Sequence, residues 1–166
     1  MRFIKLPIFF ISFLLISCGN EKKEKKESIK INKKEVAETS EDDVTNVLLT
    51  GNDQMRFNLK EIKVEEGDIV NLTLKHIGKL GVKVMGHNFV LLQKDVDIND
   101  FASAAIDAKD NNYIPKNSEK VIVHTKMIGG GEQTSIKFEA PEKGTYDFVC
   151  SFPGHVALMK GKFIVE

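Results

Sequence analysis

Residues 142–166 read EKGTYDFVCSFPGHVALMKGKFIVE. Within them, Thr145–Cys150 and Lys162–Val165 are short segments of β-branched, aromatic and apolar residues, with Pro153 and Gly154 turning the chain between them. The same pattern recurs upstream. Ile69–Leu74 sets Val70, Leu72 and Leu74 on one face and Asn71 and Thr73 on the other, the period of a half-buried strand. Met55–Leu59, Ile62–Val64, Phe89–Leu92, Val121–Thr125 and Ser135–Glu139 are further strand candidates, with Gly, Pro, Asn and Asp between segments. This patterning predicts an all-β fold, a Greek-key β-sandwich or barrel of antiparallel strands. One helical excursion interrupts it around 95–109, where Ile98, Phe101, Ala102 and Ala105 share a helical face. Asp95 or Asp97 suits the start of that helix and Lys109 its end. Gly129-Gly130-Gly131 marks a loop that needs unusual backbone angles.

The loop between the last two strand candidates carries a thiol (Cys150), an imidazole (His155) and a thioether (Met159) within ten residues. A second imidazole, His87, follows a glycine in Met85-Gly86-His87-Asn88. A soft thiolate, two imidazoles and a weak axial thioether are the ligand types of a blue-copper electron-transfer site. The thiolate supplies a covalent, polarizable bond, the imidazoles suit both oxidation states, and the thioether favours Cu(I) without binding Cu(II) tightly. Pro153 and Gly154 shape the loop so that Cys150 and His155 can converge. Taken singly, Cys150, His87 and Met159 would each read as core or surface residues. Their joint occurrence, Cys-x4-His-x3-Met on a β pattern with Gly-His upstream, is what points to metal.

These segments resemble the azurins, bacterial blue-copper members of the cupredoxin family. The resemblance runs through Thr50–Asn58, Val84–Asn88, Val121–Gly129 and Cys150–Gly161, and the four-residue gap between Cys150 and His155 is longer than in plastocyanin-like members. It implies one type 1 copper per domain, with His87, Cys150 and His155 as close ligands, Met159 as a long axial ligand, and the Gly86 carbonyl as a weak contact opposite it. It also implies N–H donors from Asn88 and Phe152 to the Cys150 sulfur, which tune the potential. An apolar patch for docking partners is implied at Met55, Leu80, Val84, Met85, Phe152, Pro153, Ala157 and Leu158, around the outer edge of His155. His76 matches a non-ligand histidine near the site and His124 a surface one. Two departures stand out. The family's internal disulfide near its N-terminus has no cysteines here, which lowers the expected stability by about 2–4 kcal/mol, and Phe89 stands where the family has a buried Trp.

Residues 1–17 read as a signal peptide: Arg2 and Lys5 precede the apolar run LPIFFISFLLI at 6–16, whose eleven residues are too short for a membrane span. Leu15-Ile16-Ser17-Cys18 resembles the lipobox of bacterial lipoproteins, which implies acylation of Cys18 and cleavage just before it. Residues 19–46 hold seven Lys and eight acidic residues with hardly any large apolar side chains, a composition that predicts a flexible tether. The folded domain is expected over 47–166. Composition narrows the rest. The chain has 166 residues, 24 basic and 24 acidic side chains and net charge zero, so it shows none of the basic excess of a nucleic-acid binder. Two cysteines, Cys18 and Cys150, exclude a disulfide scaffold, and a 42% hydrophobic fraction with 11 Phe suffices for one core.

The expected function is therefore electron transfer by a lipid-anchored protein on the periplasmic side of a bacterial membrane or the cell surface, the outer membrane favoured. Its partners would be redox proteins such as c-type cytochromes or membrane-bound reductases and oxidases, met as a monomer or in weak transient association. A copper-storage or copper-delivery lipoprotein is the alternative, against which four His and five Met in the whole chain argue. An enzyme with a second, catalytic metal would need histidines beyond His76 and His124, so no enzymatic activity is expected.

Overall fold

The structure is a computed structural model that describes residues 44–116 and 118–166. The proposed signal peptide, Cys18 and the tether up to residue 43 lie outside the described residues. Among the described residues, eight strands form two sheets: β1 (Val44–Gly51), β2 (Glu61–Val64), β3 (Ile69–His76), β4 (Val90–Leu92), β5 (Val121–His124), β6 (Gln133–Glu139), β7 (Gly144–Val149) and β8 (Lys160–Val165). The first sheet has the order β1-β3-β6 and the second β2-β8-β7-β4-β5. Two packed sheets with sequence-distant neighbours are the Greek-key sandwich expected from the alternation.

Strand directions correct one expectation. The sheets are mixed, because β1 runs parallel to β3 and β2 parallel to β8, while the other pairs are antiparallel. The cause is connectivity: β2 lies in the opposite sheet, so the chain crosses the sandwich and returns before β3 pairs with β1. The Met55–Leu59 candidate is also not a strand. The Asn52 side chain accepts from the amides of Gln54 and Arg56 at 3.0 and 3.1 Å, and Met55 adopts a left-handed φ of 56°. This local turn outcompetes the ladder, and only Phe57 bridges back, to Gly51. β1 begins at Val44, inside the polar stretch that composition assigns to the tether; it buries Leu49 and Gly51 against the core.

The main core fills the space between the sheets with Leu72, Leu74, Phe89, Leu91, Phe148 and Phe163, all fully buried. A second cluster lies on the outer face of the larger sheet, where helix α2 (Ile98–Ile106) sets Phe101 over Val90, Leu92 and Val149. β4 is therefore buried on both faces, which is why Val90-Leu91-Leu92 is a continuous apolar run rather than an alternating one. Asp97 caps α2, accepting from the amides of Asn99 and Asp100 at 2.8 and 3.0 Å. The helix ends at Ile106, and Lys109 instead opens a short 3₁₀ turn, Lys109–Asn111. One single-turn helix, α1 (Val82–Met85), has no signal in the sequence; two glycines of the facing loop, Gly129 and Gly130, make room for its approach. A Cβ on Gly129 would come within 2.6 Å of the Val82 backbone nitrogen, and one on Gly130 within 2.5 Å of the Lys79 carbonyl carbon.

Candidate metal centre

β7 delivers Cys150 to one end of the sandwich, where the chain must leave the sheet and return as β8. The loop closes on itself through main-chain bonds: His155 N–H to Phe152 O at 3.0 Å, Met159 N–H to His155 O at 2.8 Å, and Cys150 N–H to Met159 O at 2.9 Å. Gly154, with φ of 81°, supplies the left-handed residue that begins the 3₁₀ turn His155–Ala157. The thiol, the imidazole and the thioether are thus held by hydrogen bonds between the very residues that bear them. Cys150 and Met159 are fully buried and His155 is 3% exposed.

His87 arrives from another part of the chain, just before β4. It exchanges both main-chain bonds with Ile128, each at 2.9 Å. Its Nε2 lies 3.0 Å from the Asn52 carbonyl, an acceptor that fixes the proton on Nε2 and leaves the Nδ1 lone pair free. Two glycines make room. A Cβ on Gly51 would sit 2.6 Å from the His87 ring, and one on Gly86 would meet the Val82 carbonyl, Phe152 and the Met127 sulfur at 2.6–2.9 Å. Behind His87 the fully buried His76 ring stacks at 4.2 Å and 14°. His76 donates from Nε2 to the Met85 carbonyl at 2.9 Å and accepts the Gly78 amide on Nδ1 at 3.0 Å, so both nitrogens are occupied.

The donors converge. Cys150 Sγ lies 3.6 Å from His155 Nδ1, 4.0 Å from His87 Nδ1 and 3.8 Å from the Gly86 carbonyl oxygen. Among the described residues, His87, Cys150 and His155 form the one group able to share a metal ion, with ligand atoms within 4.8 Å of one another. A first-row metal bound to sulfur at about 2.3 Å and to nitrogen at about 2.0 Å, opened to about 120°, leaves those two atoms about 3.7 Å apart. The observed separations of 3.6 and 4.0 Å bracket that value, so the sulfur and each imidazole nitrogen are spaced to share one ion. One thiolate, two imidazoles and an adjacent buried thioether are a soft donor set suited to copper.

Burial sets the proton affinities. It pushes the Cys150 thiol up to about 11, against the opposing pull of the Asn88 and Phe152 amides on the sulfur. Burial also lowers His155 to about 4 and depresses His87 in the same direction. Both imidazoles are therefore neutral and ready to coordinate at neutral pH, while metal binding must expel the thiol proton. The Asn88 side chain ties the two ligand segments together: its Oδ1 accepts the Ser151 amide and its Nδ2 donates to Ser151 Oγ, both at 2.8 Å. Its Nδ2 also donates to the Asn112 carbonyl at 3.0 Å, and Asn112 Oδ1 accepts the Met127 amide at 2.9 Å.

The apolar side chains expected to form a docking patch differ in exposure. Leu80 is 42% and Val84 64% exposed, Pro153 and Ala157 are exposed, and Met55, Met85 and Leu158 are half-buried. Phe152 packs on the His155 ring at 4.6 Å. The Nε2 atom of His155 has no protein partner, and no buried side-chain polar atom among the described residues is left unsatisfied, so Nε2 is the atom that reaches the surface. His124 stands apart on β5, bonded to the Thr125 carbonyl at 3.0 Å. Val82, Met127, Asn52 and Asn112 join the site without having been expected from the sequence. None of these gave a signal: they act through main-chain atoms or through pairings that spacing does not encode.

Residues 43–166 match the family model of copper-binding proteins of the plastocyanin/azurin type. Azurin-1 of Alcaligenes xylosoxydans xylosoxydans is 47% identical over 120 residues, covering 68% of this chain and 91% of the relative. Outer membrane protein H.8 of Neisseria gonorrhoeae is 41% identical over 115 residues, 67% of this chain and 62% of that protein, so the match spans less than two thirds of the relative's length. Among solved structures, the dithionite-reduced auracyanin of Roseiflexus castenholzii superposes with a TM-score of 0.67 at 30% identity, over 74% of this chain and 97% of that one.

Proposed function

The chain belongs to the plastocyanin/azurin family of copper-binding proteins, and from that premise we propose that it is a membrane-anchored type 1 copper electron carrier. In this reading it cycles between Cu(II) and Cu(I), taking one electron from a redox partner and passing it to another. The observation that carries the reading is the convergence of Cys150 Sγ with the Nδ1 atoms of His155 and His87 at 3.6 and 4.0 Å beside a buried Met159. When bound, copper supplies a one-electron couple at a site shielded from water. His87, Cys150 and His155 would hold it, with Met159 and the Gly86 carbonyl as weaker contacts.

The chain's own residues then do the rest. The Asn88 and Phe152 amides withdraw charge from the sulfur, which tunes the potential of a bound metal. The hydrogen-bonded loop and the Asn88–Ser151 link keep the ligands fixed in both oxidation states, which minimises reorganisation. His155 would carry the electron outward, since its Nε2 edge opens among Pro153, Ala157 and the other residues of the apolar patch. Partners such as c-type cytochromes or membrane-bound reductases and oxidases would dock there.

The N-terminal part of the reading rests on sequence. Residues 1–17 would be a lipoprotein signal, Cys18 the lipidated residue and 19–46 a charged tether to the 47–166 domain, on the periplasmic side of a membrane, the outer membrane favoured. The similarity to a neisserial protein named for the outer membrane supports that location. No helix among the described residues is long and apolar enough to cross a membrane. A storage or delivery role would want ligands accessible to a metal acceptor, and these are buried. Adding Cu(II) to the purified full chain should produce one intense visible band at one equivalent, absent in Cys150→Ser. Persistence of the band in that variant would overturn the site.

A further inference from the structure

We propose that the copper face is a two-part docking surface, whose apolar centre around His155 is flanked by a fixed basic cluster, Arg56, Lys60 and Lys160, that selects partner proteins with an acidic rim. The inference rests on the electron-carrier reading above and names the chemistry of the partner that reading requires.

The cluster is part of the site's framework. Lys60 Nζ donates to the carbonyls of Leu158 and Lys160, at 2.8 and 3.2 Å, so an ammonium is pinned to the loop that carries His155 and Met159. Arg56 follows the patch residue Met55, and Lys160 follows the ligand Met159. All three side chains are exposed, and none makes an ion pair among the described residues. Partial burial, and after it the nearby Arg56 and Lys160 charges, lower the proton affinity of Lys60; no carboxylate acts on it in the other direction. Three uncompensated cations at one edge of an apolar patch raise the local potential, which a complementary surface would relieve.

The rest of the molecule sharpens the asymmetry. On the far flank of the patch, Lys79 and Lys83 accompany Leu80 and Val84, and the nearby Asp53 carboxylate is engaged by the amides of Lys79 and Leu80 at 2.8 and 3.3 Å. Glu132, also at the metal end, accepts the Gly129 amide at 2.8 Å, while six further carboxylates gather at the other end of the sandwich. Glu65, Glu66, Asp68, Glu139, Glu142 and Glu166 lie at the β2–β3 turn, the β6–β7 turn and the C-terminus, where Lys63 pairs with Glu166 at 3.2 Å. Register identifies that end as the one where Val44, Ile69 and Glu139 meet, while Gly51 and His76 meet at the metal end. A near-neutral domain is thus polarised, basic at the copper face. Like charge opposes the pairing of two such faces, so an acidic partner fits better than a second copy. A protein surface with carboxylates around an apolar centre matches both parts of this face, cations at the edge and exposed Leu80 and Val84 in the patch.

The test is an amide-shift titration of the isotope-labelled full chain with a hexaglutamate peptide at low ionic strength. Shifts should centre on Arg56, Lys60, Leu158 and Lys160, disappear at about 0.5 M salt, and be lost in Arg56→Glu/Lys160→Glu, whose native side chains make no ion pair that folding would miss. In the copper-loaded chain the same double variant should accept electrons from hexacyanoferrate(II), which is oxidised to hexacyanoferrate(III), about tenfold more slowly at low salt. The peptide map needs no copper, so a failure of the copper reading would leave it intact. The proposal is overturned by hexaglutamate shifts elsewhere or none. It is equally overturned if phosphatidylglycerol vesicles shift these amides and the peptide does not, or if the chain alone shifts them as its concentration rises.

Discussion

The site's acid–base behaviour belongs to single residues. In the unfolded chain His155 titrates near 6.5 and in the metal-free fold near 4, because burial disfavours the imidazolium. Between those values the unfolded state binds the proton and the folded state does not. The stability of the metal-free protein should therefore fall as pH drops from about 6.5 to 4, by about 3 kcal/mol for this residue, with His87 acting in the same direction. Cys150 works at the other limit: its thiol is raised from 9.0 to about 11, so stability should fall again as pH rises through that window. Urea midpoints of the metal-free protein at pH 4, 5, 7.5 and 10.5 would check both flanks; a flat profile would mean that the ligands are hydrated rather than buried. The ligands were legible in the sequence because Cys-x4-His-x3-Met records a loop whose two ends must meet. Their supports were not. Gly51 matters for the absent Cβ beneath His87, Asn52 for its carbonyl, and Asn112 for a carbonyl and a side chain that join three loops, none of which spacing reveals.

At the scale of elements, α2 covers a face of the larger sheet that would otherwise be wet. Phe101 is its anchor, fully buried over Val90, Leu92 and Val149. Phe101→Ala should cost about 3–5 kcal/mol of stability, the range for emptying a buried aromatic site. Removing the helix cap with Asp97→Ala should cost only about 1 kcal/mol, since the packed face keeps the helix in place. Thermal melts of the two variants should separate accordingly, and equal shifts would mean that the helix is held by its cap. The strong elements were legible because their signals are local: alternation in β3, an apolar face and a capping Asp in α2. Where the sequence misled, a non-local or side-chain effect won. Met55–Leu59 alternates like a strand, yet the Asn52 side chain captures two of its amides and turns it. β1 begins in a polar tract and takes its strand form from the parallel register with β3, which only the folded chain supplies. α1 exists because glycines in a distant loop leave space for it.

At the scale of the whole molecule, the chain's own hydrogen bonds hold the ligands of its metal centre. Among the described residues Cys150 is the one cysteine, and it is buried and free, so no cross-link supports the sandwich. Its ligands are instead fixed by the protein: His87 by Asn52 and Ile128, His155 and Met159 by the loop's main chain, and the two ligand segments to each other by Asn88 and Ser151. No buried side-chain polar atom among the described residues lacks a partner in this arrangement. A site in which ligand order came from the ion would collapse with its removal, as in domains that are unfolded without metal. Here removal should leave the fold standing. Far-UV circular dichroism and amide-shift dispersion should be unchanged in the metal-free protein, while its melting temperature falls. The size of the fall follows from linkage: an ion present at about a thousand times its dissociation constant stabilises by about 4 kcal/mol. A reductant should leave the metal-free melting temperature where it is, since no disulfide contributes. Loss of amide dispersion on chelation would show that the ion organises the loop, and the rigidity on which rapid electron exchange depends would then come from the copper and not from the chain.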